Sequence, residues 1–209
     1  MTLDEYRKKR KFDATPEPEG TSDPEVARGG PLVYVVQKHA ATALHYDFRL
    51  EWDGVLLSWA VPKGPSLDPT VKRLAMRTED HPIEYSSFEG VIPAGQYGAG
   101  TVMLWDRGRW DPESVDVTES LERGDLKLTL HGEKLRGSWA LVRTRGFGKT
   151  PARNAWLLIK HRDQYASTKD VSRDGPRSVV SQRLLGEIAG EEGGDVERAS
   201  KGDPRGEAR

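Results

Sequence analysis

The stretch His45–Trp52, HYDFRLEW, alternates two kinds of side chain with a period of two. That period belongs to an extended strand, in which successive residues point to opposite faces. Tyr46, Phe48 and Leu50 would share one apolar face, and His45, Asp47 and Arg49 the other. Asp53-Gly54 follows at once, a dipeptide suited to a two-residue hairpin, and Val55–Val61 supplies the returning strand. Further strand-like runs cover Leu32–Lys38, Arg73–Thr78, Thr101–Trp105, Leu126–Leu130, Ser138–Thr144 and Trp156–His161. Short strands separated by Gly, Pro and Asp turns suggest a mainly β protein, an antiparallel barrel or sandwich.

The 209 residues suit one domain with tails. Residues 1–30 and 166–209 are polar and charged, whereas residues 31–165 hold most of the Val, Leu and Trp and form the expected β domain. Thr2-Leu-Asp-Glu5 has the form of a capping box opening a short helix, which the Pro/Gly-rich TPEPEGTSDPE ends. Ser181–Ala189 is the one later helical pattern, and from Gly190 the composition predicts a disordered charged tail. The chain has no apolar run long enough for a membrane helix, and its start lacks the apolar stretch of a signal peptide. The absence of cysteine excludes disulfides and thiolate ligands and fits a cytoplasmic setting. Net charge is only −1, but Lys134–Arg162 holds eight Lys and Arg and no acid. That span is either a solvated basic face or a phosphate-tracking surface, with Trp139, Phe147 and Trp156 available for stacking.

His39, His45 and Asp47 form a plausible divalent-metal set of the borderline or hard kind (Mn, Fe, Co or Zn), beside Arg49, whose fork matches phosphate. Any one of these residues alone would read as structural; their joint occurrence carries the metal reading. In RTEDHPIEYSSFEGVIPAGQYGAG, His81 precedes Pro82 and is biased to extended backbone, with Tyr85 four residues on. Either the prolines and glycines merely set the path of a loop, or the loop carries His81 as a phosphate contact or proton donor. His81 is the first choice for a general acid, because imidazole titrates near neutrality. Lys63 is a surface lysine or a point charge for phosphate, and His131 and His161 read as peripheral. Two His and one Asp also describe a non-haem Fe(II) facial triad, and a non-catalytic DNA-end-binding module is a third reading.

QKHAATALHYDFRLEWDGVLLSWAVPKGPSLDP and RTEDHPIEYSSFEGVIPAGQYGAGTVMLWDRGRW together resemble the 3′-phosphoesterase domain of bacterial DNA ligase D and its free-standing relatives. The resemblance runs from about Lys8 to about Asp163. It implies a compact β-barrel with short flanking helices. The implied activity is Mn²⁺-dependent removal of 3′-terminal ribonucleosides, and then of 3′-phosphates, from primer-template ends in nonhomologous end joining. Co²⁺ or another divalent metal is the alternative cofactor. By motif, His39, His45 and Asp47 fall on the metal ligands, Arg49 and His81 on phosphate-holding groups, and Tyr85 on a further active-site residue. Lys63 and Arg73 fall on positions that influence activity, and Arg10, Thr15, Pro16 and Glu17 match the family's N-terminal pattern. Lys11 stands where many members have an acid, which bears on the ribonucleoside-removing step. If the chain is complete, as Met1 suggests, it acts with separate ligase, polymerase and Ku proteins.

Overall fold

The computed structural model describes residues 2–20, 30–146, 148 and 151–204. Residues 21–29, which include part of the Pro/Gly-rich segment, lie outside the described residues, as do Phe147 and Lys149 of the basic span. After helix α1 (Asp4–Lys8), the described residues form nine strands: β1 Val33–Ala40, β2 Leu44–Trp52, β3 Val55–Val61, β4 Lys72–Arg77, β5 Gly90–Ile92, β6 Gly100–Pro112, β7 Asp125–Gly132, β8 Arg136–Arg143 and β9 Ala155–Lys160. They are hydrogen-bonded in the order β1-β2-β3-β4-β9-β8-β7-β6, all antiparallel. β1 also pairs with β6, which closes eight strands into a barrel and leaves β5 as a flap on β6. Closure removes the open edges that a flat sheet of this size would expose.

The β2–β3 hairpin turns as the Asp-Gly dipeptide requires, with φ of 50° at Asp53 and 78° at Gly54 and Trp52 facing Val55. Two successive positive φ values match the strand twist, and glycine reaches them without steric cost. Alternation then fills the barrel. Tyr34, Val36, Tyr46, Phe48, Leu50, Leu57, Trp59 and Val61 from β1–β3 meet Trp105, Trp110, Leu128, Trp139, Leu141, Trp156 and Leu158 in one core. Burying Trp139 and Trp156 there corrects their reading as base-stacking side chains: each falls on the inward phase of its strand. Lys160 is also buried, held to Asp163 at 2.5 Å and to the Ser138 carbonyl, so the basic span is not one exposed face.

Three elements depart from expectation. α1 is capped by Leu3 with no side-chain bond, so the capping box does not form. α2 (Val117–Arg123), with Asp116 accepting from the Glu119 amide and Gly124 in the left-handed conformation, was not visible as a helical pattern in so short a segment. The third is the C-terminal region, which over its described residues folds against the barrel. It carries α3 (Val171–Asp174), α4 (Leu185–Glu191) and α5 (Val196–Ser200). Leu185, Ile188, Ala189 and Ala199 join the core, Lys38 donates to the Gly202 carbonyl, and Asp203 accepts from the Leu185 and Gly186 amides. A few apolar side chains and one buried lysine hold a segment whose average composition is that of a solvated tail.

Candidate metal and phosphate site

The site lies on the outer wall of the barrel, on the face of β2 opposite Phe48. His39 of β1 stands directly across from His45 of β2, and Gln37 across from Asp47. Antiparallel pairing therefore brings the first histidine beside the His45-Asp47-Arg49 face. One ligand atom from each of His39, His45 and Asp47 falls within 4.8 Å of the others. Asp47 is the meeting point: its carboxylate is 3.5 Å from His39 Nδ1, 3.6 Å from His45 Nε2 and 3.2 Å from an Arg49 nitrogen.

The outer nitrogens of both imidazoles are already committed. His39 Nε2 donates to the Gly98 carbonyl and His45 Nδ1 to the Ala43 carbonyl, each at 2.9 Å. A carbonyl only accepts, so the two inner nitrogens of the neutral rings turn lone pairs toward Asp47. Two lone pairs converging on a carboxylate call for a proton or a cation among them, and the donor set fits a borderline or hard divalent metal. Burial works against a proton on His45, but its bond to Asp47 outweighs burial and pushes its pKa up. Burial alone would raise the Asp47 carboxyl; Arg49 and the two imidazoles outweigh it and hold it well below the usual carboxylate range.

Arg49 is locked at three points. Its Nε donates to Gln37 Oε1 and Nη1 to Ser58 Oγ, both at 2.8 Å, and its third nitrogen faces Asp47. Gln37 in turn donates to the Tyr85 and Phe88 carbonyls, fixing the 3-10 turn Ile83–Ser87 against the barrel. The N-terminal segment covers this region. Arg10 donates to Glu17 at 2.8 Å and Glu79 at 3.2 Å, and Glu17 also accepts from Tyr85 at 3.0 Å and Thr15 at 3.0 Å. Tyr6 packs with Tyr85, Phe88, Leu56, Ile92 and Val102 beneath the arm. The result is a cavity of about 180 Å³ whose lining includes Arg10, His39, Asp47, Arg49, His81 and Tyr97.

His81 differs from its expected role. Its Nδ1 donates to the Glu79 carbonyl at 2.9 Å, so its Nε2 accepts from Arg10 at 3.3 Å. Burial, then Arg49 and Arg10, hold its pKa well below the ordinary 6.5, so the ring is neutral and its one proton is held on Nδ1 by the Glu79 carbonyl. The unfolded chain binds a proton at about 6.5, so the stability resting on neutral His81 is complete above that pH and is lost as pH falls toward the folded pKa. Urea unfolding of metal-free protein should thus show a smaller free energy at about pH 5 than at about pH 7.5, and His81→Gln should shrink this loss. His45, raised, changes stability in the opposite sense, so the His81 variant isolates the His81 contribution. An acid-side loss of the same size in His81→Gln would refute the assignment.

Lys63 and Arg73 do not line this cavity. Lys63 lies in a separate one with Tyr46, Ser172, Arg173 and Asp203, and Arg73 faces Leu158 across β4–β9. Sequence reasoning missed Gln37, Ser58, Glu79, Tyr97 and Gly98. Gln37 had a signal, since it shares the outward phase of β1 with His39.

A closed antiparallel barrel thus carries on its exterior a His-His-Asp cluster that could hold a metal ion, beside a buried arginine whose fork suits phosphate. The model of the DNA ligase D 3′-phosphoesterase domain family matches residues 37–143. Among curated relatives, the multifunctional non-homologous end joining protein LigD of Pseudomonas aeruginosa is 54% identical over 186 residues, 88% of this chain and 22% of that protein. The LigD of Mycobacterium tuberculosis is 47% identical over 162 residues, 78% of this chain and 20% of its own length. The chain belongs to the DNA ligase D 3′-phosphoesterase domain family. It spans about a fifth of the length of the curated relatives it matches.

Proposed function

We propose that this protein is a divalent-metal-dependent phosphoesterase that heals DNA 3′ ends, removing terminal ribonucleosides and 3′-phosphates to leave 3′-hydroxyls. The observation that carries the reading is the convergence of His39, His45 and Asp47 with Arg49 at one small cavity in a member of this family. His39, His45 and Asp47 would hold the metal, with Mn²⁺ the first candidate and Co²⁺ the next. When bound, such an ion polarises a phosphoryl oxygen and lowers the pKa of bound water.

The chain's own groups supply the rest. Arg49 is held rigid on Gln37 and Ser58, so its charge is in place before phosphorus acquires more negative charge. Arg10, held by Glu17 and Glu79, reaches the same cavity from the arm. Burial is the first cause of His81's neutrality, and an entering phosphate dianion offsets the second, the charges of Arg49 and Arg10. His81 then takes a proton from solvent water onto its ring and stands ready to pass it to the leaving oxygen. Tyr85 braces Glu17 and packs under Arg49, whose Cζ lies 4.9 Å from the ring centre. Lys11, at a position where the family resemblance implies an acid in many members, shifts the balance toward 3′-phosphate removal. Ligase, polymerase and Ku activities in the cytoplasm would complete the repair. Among the described residues no helix is long and apolar enough to cross a membrane.

Labelled primer-templates ending in one 3′-ribonucleotide or in a 3′-phosphate test this directly. With Mn²⁺, both ends should become 3′-hydroxyl, the 3′-phosphate faster. Chelation and His45→Ala should each abolish the reaction. Failure of wild type to convert either end would overturn the proposal.

A further inference from the structure

The rim of the cavity carries an aromatic ring that the chemistry beneath it does not use. Tyr97 lines the cavity yet is 49% exposed. The other exposed large apolar side chains among the described residues, including Tyr165, lie elsewhere. The ring is not loosely hung. Lys9 Nζ lies 5.0 Å and Arg10 Cζ 5.4 Å from its centre, attractions expected between a cation and an aromatic face. Lys9 is itself tied to Glu79 at 3.1 Å. Gly98, next in the chain, adopts a φ of 77° and gives its carbonyl to His39 Nε2. The residue bearing the exposed ring is thus the immediate neighbour of the one whose carbonyl orients a candidate metal ligand.

The cavity's volume decides what the ring is for. At about 180 Å³ it falls below the roughly 300 Å³ at which clefts begin to engulf drug-sized ligands. A phosphate fits inside, but the nucleoside attached to it must lie outside, against the rim. There the fixed aromatic surface is Tyr97, half open to solvent. Bases of every identity have a π-face, so stacking there suits an enzyme that meets ends of any sequence.

We propose that Tyr97 forms a nucleobase-stacking subsite for the nucleoside that bears the scissile phosphate on its 3′ oxygen. This rests on the phosphoesterase reading, because the base belongs to a nucleic-acid end.

The test uses two primer-templates with a 3′-phosphate, one with adenine on the terminal nucleoside and one abasic there. Anisotropy of the metal-free full chain should show wild type favouring the base-bearing end by roughly 5- to 150-fold. Tyr97→Phe should keep that preference and Tyr97→Ala should collapse it toward one. 2-Aminopurine at the same position should be quenched by wild type and Tyr97→Phe but not by Tyr97→Ala. Equal affinity of wild type for the two ends, or a preference that survives Tyr97→Ala, overturns the subsite. Phosphate release with Mn²⁺ is followed on the same ends. No release together with a Tyr97-dependent preference would overturn the phosphoesterase reading and leave the subsite standing. Release without any base preference would overturn the subsite alone.

Discussion

Asp47→Asn is expected to lower metal-dependent phosphate release by at least about 10³-fold, more than loss of a single hydrogen-bond donor usually costs. The substitution keeps the shape of the side chain and removes its charge. The metal set then consists of two neutral imidazoles with no anion. Arg49, 3% exposed, is left without its carboxylate. Glu79 cannot take over, since its partners are Lys9 and Arg10. Removing one member of a buried ion pair costs about 3–5 kcal/mol, so the variant should also melt earlier. Manganese titration by electron paramagnetic resonance, with melting curves beside it, separates the two effects. A variant that binds Mn²⁺ as wild type does would remove Asp47 from the ligand set.

Arg49→Lys should cut kcat by about 10²- to 10³-fold while leaving metal affinity nearly intact. Arginine meets three acceptors at once here: Gln37 and Ser58 at 2.8 Å, and Asp47 at 3.2 Å. Those contacts fan out from a planar fork. An ammonium is a single point that cannot reach all three, so Gln37 and Ser58 lose a partner and the charge shifts from its place. The deficit should appear in kcat rather than KM, because a mispositioned charge fails the developing transition state more than the resting substrate. A drop smaller than about tenfold would mean that Arg49 is a structural strut.

The part of this site that a single strand encodes is plain from the sequence. His45, Asp47 and Arg49 share a phase, and Tyr46, Phe48 and Leu50 share the other. The Asp53-Gly54 turn and the Val55–Val61 return are equally local, and both form as expected. What depends on pairing between distant segments was not legible. Ser58 reaches Arg49 only because β3 lies beside β2, and nothing around Ser58 marks it. Glu79 and Gly98 matter through the Arg10 and His39 contacts, which span tens of residues. The basic span misled for the converse reason. Charge along the chain was read as charge on a surface, whereas strand alternation sends Trp139 and Trp156 inward and Lys160 into a buried bond.

Because the side chains of the candidate site and of the core interleave on β2, this strand tolerates substitution and deletion very differently. Exchanging one side chain disturbs one face. Losing a single residue between Tyr46 and Phe48 would slide the rest of the strand by half its period, bringing Phe48 and Leu50 to the outer wall and sending Arg49 into the barrel. No partial enzyme lies along that route. Insertions and deletions should therefore accumulate in connections such as Ser114–Asp116, where the exposed Val115 sits, and be purged from β2.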